Sequence, residues 1–140
     1  MVSRVIPVEA FDLVVFGGTG DLARRKILPS LFRRFVAGQM PDDAFVIGVA
    51  RSELSTKGYQ DLVIAALREF EPELSASAEL INFMKQIQYV QIDAQGDFGW
   101  SDLAEKVRKD AIQAFYFSVS PSLFGQLAEK LHQYSIASQS

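Results

Sequence analysis

A short apolar run, Phe11-Asp12-Leu13-Val14-Val15-Phe16, passes straight into Gly17-Gly18-Thr19-Gly20-Asp21-Leu22-Ala23, and a segment with helical periodicity follows. A buried strand that turns through glycines into a helix leaves few choices of fold, because the turn sends the chain back across one face of a sheet. Each small residue has a physical task there. Gly17 or Gly18 supplies the tight exit from the strand, including a positive φ that a side chain would resist. Gly20 lets the backbone approach a pyrophosphate, whose charge meets unpaired N–H groups and the positive end of the helix. Ala23 keeps the helix near the sheet. The run reads as G-x-x-G-x-x-A from Gly17 or as G-x-G-x-x-A from Gly18, and the sequence leaves both registers open. A glycine turn without a ligand is the plainer alternative; the strand before, the helix after and the basic residues that follow favour a dinucleotide loop. A nucleotide triphosphatase loop is excluded by the missing Gly-Lys-Ser/Thr ending.

Strand and helix signals then alternate to the end of the chain. Leu28, Leu31, Phe32, Phe35 and Val36 form one helical face, interrupted by Pro29, which should kink the helix or restart it, and closed by Gly38. Ala44 to Ala50 is a near-continuous apolar strand of the kind that parallel sheets bury on both faces. Ser55 or Thr56 caps the next helix, with Tyr59, Leu62, Val63, Ala66, Leu67 and Phe70 on its face, and Pro72 breaks it. A helix from about Ser77 to Lys85 carries Leu80, Ile81 and Met84; Tyr89 to Asp93 is the third strand, and Gly96 and Gly99 mark the loop after it. Trp100 to about Lys109 forms a helix with Trp100, Leu103, Ala104 and Val107 inward, followed by a strand from Ile112 to Val119. Pro121 fits the first turn of a last helix, whose face is Leu123, Phe124, Leu127, Ala128 and Leu131. The pattern predicts an α/β protein with a doubly wound parallel sheet, Rossmann-like but partial, of about four strands in the order 3-2-1-4. Residues 1 to 10 read as an arm, and Ser138-Gln139-Ser140 as a frayed polar end.

Composition narrows the function. A chain of 140 residues, 49% hydrophobic and 22% charged, suits one soluble domain covering residues 1 to 140. The net charge of −3 argues against nucleic acid, so a phosphorylated ligand must be met by local positive charge. No apolar run has the length of a membrane span and none fits a signal peptide, which makes the cytoplasm the expected location. Zero cysteines and a single histidine exclude thiolate chemistry, disulfides and His- or Cys-based metal clusters.

Positive charge is the next thing to locate. Counting from the loop nominates Asp42 or Asp43 as a ribose contact, but both precede the second strand, and ligands bind beyond its carboxyl end. Arg51 follows that end, with Ser52 beside it, and a planar guanidinium suits the 2′-phosphate that separates NADP from NAD. It is otherwise a solvated loop arginine, and Glu53 would favour NAD if it turned inward. Arg24, Arg25 and Lys26 form the one dense basic run; Arg24 and Arg25 read as an exposed helix face, Arg25 pairing with Asp21 at i, i+4. Lys26 lies about 9 Å along an α-helix from Gly20 and leans back toward the cleft. Thr19 offers a hydroxyl or serves as a turn residue. Phe117-Ser118-Val119-Ser120-Pro121 closes the strand beside the first, where strand order reverses and the nicotinamide half of a dinucleotide would lie. His132 follows the fourth strand by a helix of about three turns and reads as a surface or half-buried helix residue, not a general base. A short-chain dehydrogenase is disfavoured, because none of the tyrosines has lysine four positions on.

The stretch Gly20-Asp21-Leu22-Ala23-Arg24-Arg25-Lys26, with Leu28-Pro29-Ser30-Leu31 after it, resembles the amino-terminal coenzyme loop of the glucose-6-phosphate dehydrogenase family. The likeness covers essentially the whole chain. It implies an NADP cofactor held by Gly17, Gly18, Thr19, Gly20, Asp21, Leu22 and Ala23, with Arg51 and Ser52 at the 2′-phosphate and Ser118, Val119, Ser120 and Pro121 at the far side. It also implies that Lys26 lies by both coenzyme and sugar phosphate, while Phe124 stands where some relatives have a hydroxylated ring. The family oxidises glucose 6-phosphate to the 6-phosphogluconolactone in the pentose phosphate route, using a histidine base in a larger second domain that also forms the homo-oligomer interface. That domain is not in this sequence, so no catalytic residue and no metal site is expected here, and an isolated fragment should be inactive. A free-standing NADP-binding or sensor domain is the non-enzyme alternative.

Overall fold

The computed structural model describes residues 10–136. The expected frayed end and all of the arm but Ala10 lie outside the described residues. The elements are β1 (Phe11–Phe16), α1 (Leu28–Val36), β2 (Ala44–Ala50), α2 (Thr56–Phe70), α3 (Glu79–Met84), β3 (Ile87–Gln91), α4 (Trp100–Lys106), β4 (Ile112–Phe117) and α5 (Phe124–Gln133). All the strand pairings are parallel, and the sheet runs β3-β2-β1-β4, the order expected of this half of a doubly wound fold.

Alternate side chains of each strand point to opposite faces, and helices cover both. Val15, Val46 and Tyr89 pack beneath α1, α2 and α3, where Phe32, Val63 and Phe83 join them. Val14, Phe16, Ile47, Val49 and Val90 meet Trp100 and Leu103 of α4 and Leu127 and Leu131 of α5 on the other face. β2 therefore has four consecutive buried residues, Val46 to Val49, which is why its sequence reads as a run and not as an alternation. β3 and β4 are the outer strands, and on β4 Ile112 and Tyr116 are exposed.

Pro29 does restart its helix. Residues Ala23–Ile27 form a π turn in which the Leu28 N–H reaches back five residues to the Ala23 carbonyl. α1 then begins with Pro29 in its first turn, where a missing N–H costs nothing. Gly38 ends α1 at φ +76°: its N–H bonds to the Phe35 carbonyl and that of Gln39 to the Arg34 carbonyl, the paired closure that a left-handed residue allows. Ser55 is the cap of α2, its hydroxyl accepting the Gly58 N–H at 2.9 Å.

Several expected boundaries move, each for a local reason. β3 starts at Ile87 and stops at Gln91, because the Gln86 carbonyl already receives the Val46 N–H while the Asp93 N–H turns into its own loop to meet the Phe98 carbonyl. α3 is shorter than Ser77 to Lys85; its inward side chains are Leu80, Phe83 and Met84, and Ile81 faces solvent. A 3-10 turn at Leu74–Ala76 precedes it. α4 stops at Lys106, since Val107 is extended and the Arg108 N–H is drawn to the Asp12 carboxylate. β4 stops at Phe117: beyond Phe16 the first strand has turned away at Gly17. The last helix opens as a 3-10 turn at Pro121–Leu123, and Phe124 and Ala128 lie on its exposed side, leaving Leu127 and Leu131 to anchor it.

Candidate dinucleotide cleft

The carboxyl ends of the four strands frame an open cleft of about 570 Å³ lined by Phe16, Gly17, Thr19, Val49 to Ser52, Ile92 to Gln95, Val119, Leu123 and Leu127. It lies where β1 and β4 part company, the switch point at which such sheets take their ligands. Its walls are mainly apolar, with polar groups confined to the loops.

The glycine loop takes the register that begins at Gly17. Gly17 has φ +79°, and a Cβ there would lie 2.1 Å from the Ser118 carbonyl oxygen, so both the turn and the close approach of β4 require glycine. Gly18 and Gly17 both give their N–H groups to the Val49 carbonyl, at 3.0 and 2.8 Å, which pins the loop to β2. A Cβ on Gly20 would meet only the Gly17 carbonyl, at 3.3 Å, so the space beside it is open for a ligand to approach the backbone. The N–H groups of Gly17, Gly18 and Gly20 are spent on protein carbonyls. The first helical N–H groups, those of Asp21 and Leu22, have no acceptor among the described residues and are what the loop offers to an anion. Ala23 is fully buried against the sheet-facing core, as its small size suggested.

Of the residues read from the sequence, Gly17, Thr19, Arg51, Ser52 and Val119 line the cleft together. Arg51 is exposed and also borders a shallower hollow with Gln91, Asp93 and Phe98. Among the described residues its guanidinium has no ion-pair partner. Glu53 is exposed and does not line the cleft. Asp21 pairs with Arg25 at 2.9 Å, and Leu22 is exposed. Lys26 is exposed on the π turn, so the α-helical rise used to judge its reach does not describe that segment. Ser118 turns its hydroxyl inward, where it is buried without a partner among the described residues. Ser120 and Pro121 stand at the start of the 3-10 turn, Ser120 Oγ accepting the Ser122 N–H. His132 is exposed on α5 and outside the cleft.

The wall made by Ile92, Asp93, Ala94 and Gln95 was not singled out in the sequence. The signal was available: those residues follow the carboxyl end of β3, and the rule that located Arg51 after β2 applies equally there. Asp93 holds this wall in shape, its carboxylate accepting the Gln95 N–H at 3.0 Å. Asp42 and Asp43 precede β2 at the opposite end of the sheet from the cleft, where Asp43 pairs with Arg108.

The pieces suit a dinucleotide: an open approach to backbone at Gly20, two helical N–H groups beyond it, and a cation on the adjacent loop. Comparisons with known proteins bear on the same region. Residues 14–140 match the family model described as glucose-6-phosphate dehydrogenase, NAD binding domain. The chain is 40% identical over 139 residues to a glucose-6-phosphate 1-dehydrogenase of Rhizobium meliloti (strain 1021), covering 97% of this chain and 28% of that protein. A second, from Gluconobacter oxydans (strain 621H), is 38% identical over 134 residues, covering 92% of this chain and 27% of that one. Among solved structures, a glucose-6-phosphate dehydrogenase in complex with its substrate glucose-6-phosphate aligns with a TM-score of 0.77 at 26% identity, over 95% of this chain and 29% of that chain. A glucose-6-phosphate 1-dehydrogenase from Mycobacterium avium aligns with a TM-score of 0.78 at 25% identity, over 91% of this chain and 28% of that one. The chain thus spans a little over a quarter of the length of the relatives it matches.

Proposed function

The chain belongs to the glucose-6-phosphate dehydrogenase family, and from that premise we propose that residues 1 to 140 are its NADP-binding portion, serving the oxidation of glucose 6-phosphate. The observation that carries NADP over NAD is the position of Arg51. It stands on the loop after β2, on the same cleft as the glycine turn and without a carboxylate partner among the described residues. A guanidinium there can grip a 2′-phosphate by two parallel hydrogen bonds, whereas Glu53, the residue that would favour a ribose hydroxyl, lies outside the cleft.

When bound, the cofactor supplies a hydride acceptor. The chain's own residues would do the holding. The Asp21 and Leu22 N–H groups and the helix dipole would meet the pyrophosphate, Gly20 would allow the approach, and Arg51 with Ser52 would meet the 2′-phosphate. Ser118 to Pro121, of which Val119 lines the cleft, would border the nicotinamide side, and Lys26 would lie by the sugar phosphate as the family resemblance implies. No histidine stands at the cleft, so these residues alone should give no reduction of NADP with glucose 6-phosphate, a rate readable from the absorbance of the reduced cofactor. No helix among the described residues is long and apolar enough to cross a membrane.

Thermal unfolding with NADP, with NAD and with neither, repeated on Arg51→Ala, tests the reading. A ligand that binds only the folded state raises the midpoint. NADP is expected to raise it more than NAD, and the substitution to remove the difference. Equal shifts by the two cofactors in the unsubstituted chain would overturn NADP as the preferred ligand.

A further inference from the structure

We infer that Tyr59 and Tyr89 form a brace that sets the spacing between the glycine loop and the Arg51 loop, with Tyr89 acting as a positioning residue for NADP selectivity; this rests on the NADP reading above. Tyr59, on α2, is fully buried and donates its hydroxyl to the Gly18 carbonyl at 2.9 Å. Tyr89, on β3, is 4% exposed and donates to the Ser52 carbonyl at 2.6 Å and toward the Ala50 carbonyl at 3.2 Å. The two rings stack with centroids 5.0 Å apart. One end of this stack therefore holds the pyrophosphate loop and the other holds the loop that carries Arg51. Gln91 adds a third tie, its amide donating to the Arg51 carbonyl at 3.1 Å. The carbonyls of residues 50, 51 and 52 are thus all fixed from β3.

Two glycines are shaped around the brace. Gly48 lies inside β2, where glycine weakens a strand and marks the close approach of another group. A Cβ there would fall 2.3 Å from Tyr59 Cζ, and one on Gly18 would fall 2.8 Å from its hydroxyl oxygen. The ring sits where a side chain of β2 would otherwise stand. Burial raises both phenol pKa values, so each hydroxyl stays protonated and keeps donating in neutral solution.

The two hydroxyls act on different parts of a dinucleotide, which separates positioning from mere support. Titration calorimetry of the 140-residue chain with NADP and with NAD, on Tyr89→Phe, Tyr59→Phe, Gln91→Ala and Arg51→Ala, reads the difference. Both phenylalanine variants keep the stacked ring, and circular dichroism without cofactor checks the fold. Tyr89→Phe is expected to weaken NADP about three- to tenfold, the worth of one such hydrogen bond, and to leave NAD within about twofold. Tyr59→Phe should weaken both cofactors alike, because the pyrophosphate is common to them. Gln91→Ala loosens the same Arg51 loop from a half-buried position at the end of β3 and keeps the test available if Tyr89→Phe fails to fold; it should lower selectivity in the same direction. Selectivity unchanged in the folded Tyr89→Phe and Gln91→Ala variants, while Arg51→Ala abolishes it, would overturn the brace alone. Selectivity unchanged in Arg51→Ala would overturn the NADP reading and the brace's role with it.

Discussion

At the amino ends of β1 and β2 an arginine is fully engaged. Arg108 gives two side-chain nitrogens and its backbone N–H to the Asp12 carboxylate, with contacts of 2.8 to 3.3 Å, pairs with Asp43, and lies 4.9 Å over the Phe45 ring. At the carboxyl ends of the same strands Arg51 is exposed, its guanidinium without an ion-pair partner among the described residues, and the Asp21 and Leu22 N–H groups that follow the glycine loop are likewise unclaimed there. Both are arginines beside the same two strands. One end of the sheet saturates its charge to hold the fold together, and the other leaves polar groups unsatisfied where a ligand can satisfy them. The difference follows from topology, since the chain leaves β1 for the face that α1 covers and leaves β4 for the face that α5 covers, and the cleft opens between the two departing loops.

The largest break in that comparison is at the closed end. Asp12 is fully buried, so Asp12→Ala would leave Arg108 facing the sheet without its main partner. Removing one member of a buried pair costs about 3 kcal/mol or more, and the melting temperature should fall by about 10 °C. Calorimetry gives the shift; a change under about 2 °C would mean that the pair contributes little. The cleft is remote from this pair, so the ratio of NADP to NAD affinity should survive in whatever remains folded.

Gly48→Ala strains the open end in turn. Its Cβ would fall 2.3 Å from Tyr59 Cζ, so the ring must shift, and overpacking of this kind costs about 1–3 kcal/mol. Denaturant unfolding measures the loss. Combining it with Tyr59→Leu, which withdraws the ring, should give less than the sum of the two single losses, because both act on one contact. Strict additivity would show that the strain is relieved elsewhere.

Much of this arrangement is legible in the sequence. The alternation of periods located four strands and their order, and the register of apolar residues found the buried faces of α2 and α4. Single-sequence reading loses contacts made far along the chain. Asp12 sat unremarked inside an apolar run because its partner lies 96 residues away, and that partner is also what stops α4 at Lys106. Tyr59 reads as part of an apolar helix face and Tyr89 as the start of a strand, and nothing local indicates where their hydroxyls go. Pro29 announced a disturbance in its helix without saying that a π turn would absorb it. The cleft was found through Gly17, Thr19 and Arg51, whereas its third wall, Ile92 to Gln95, needed the strand-end rule applied once more.

Alkaline titration should separate the two ends. Burial, and then the neighbouring Tyr89, raise the Tyr59 pKa above the ordinary tyrosine value of about 10, and burial raises that of Tyr89. Below about pH 10 both folded and unfolded chains hold these protons, and the contribution of the brace is intact. Above it the unfolded chain ionises first, so stability declines by at most about 1.4 kcal/mol per pH unit for each phenol. Arg108 is held further into its charged form by its hydrogen bonds to Asp12, so the closed end should not yield over that range. Unfolding free energies between pH 9 and 11 are expected to fall less steeply in Tyr59→Phe than in the unsubstituted chain. Parallel curves would place the alkaline sensitivity elsewhere.

The smallest effect on stability should come from Arg51→Ala. Its side chain is exposed and has no ion-pair partner among the described residues, so unfolding without cofactor should change by no more than about 0.5 kcal/mol. Arg108→Ala, the matching change at the closed end, removes every hydrogen bond that Asp12 receives from that side chain and should cost several times as much. For NADP binding the order of consequences is expected to reverse: Arg51→Ala should lose the proposed 2′-phosphate contact, worth about 1.5–3 kcal/mol for a charged hydrogen bond, while folded Arg108→Ala should bind as before. Comparable stability losses in the two variants would mean that Arg51 already has a structural partner, and that the open end of the sheet is less open than its geometry implies.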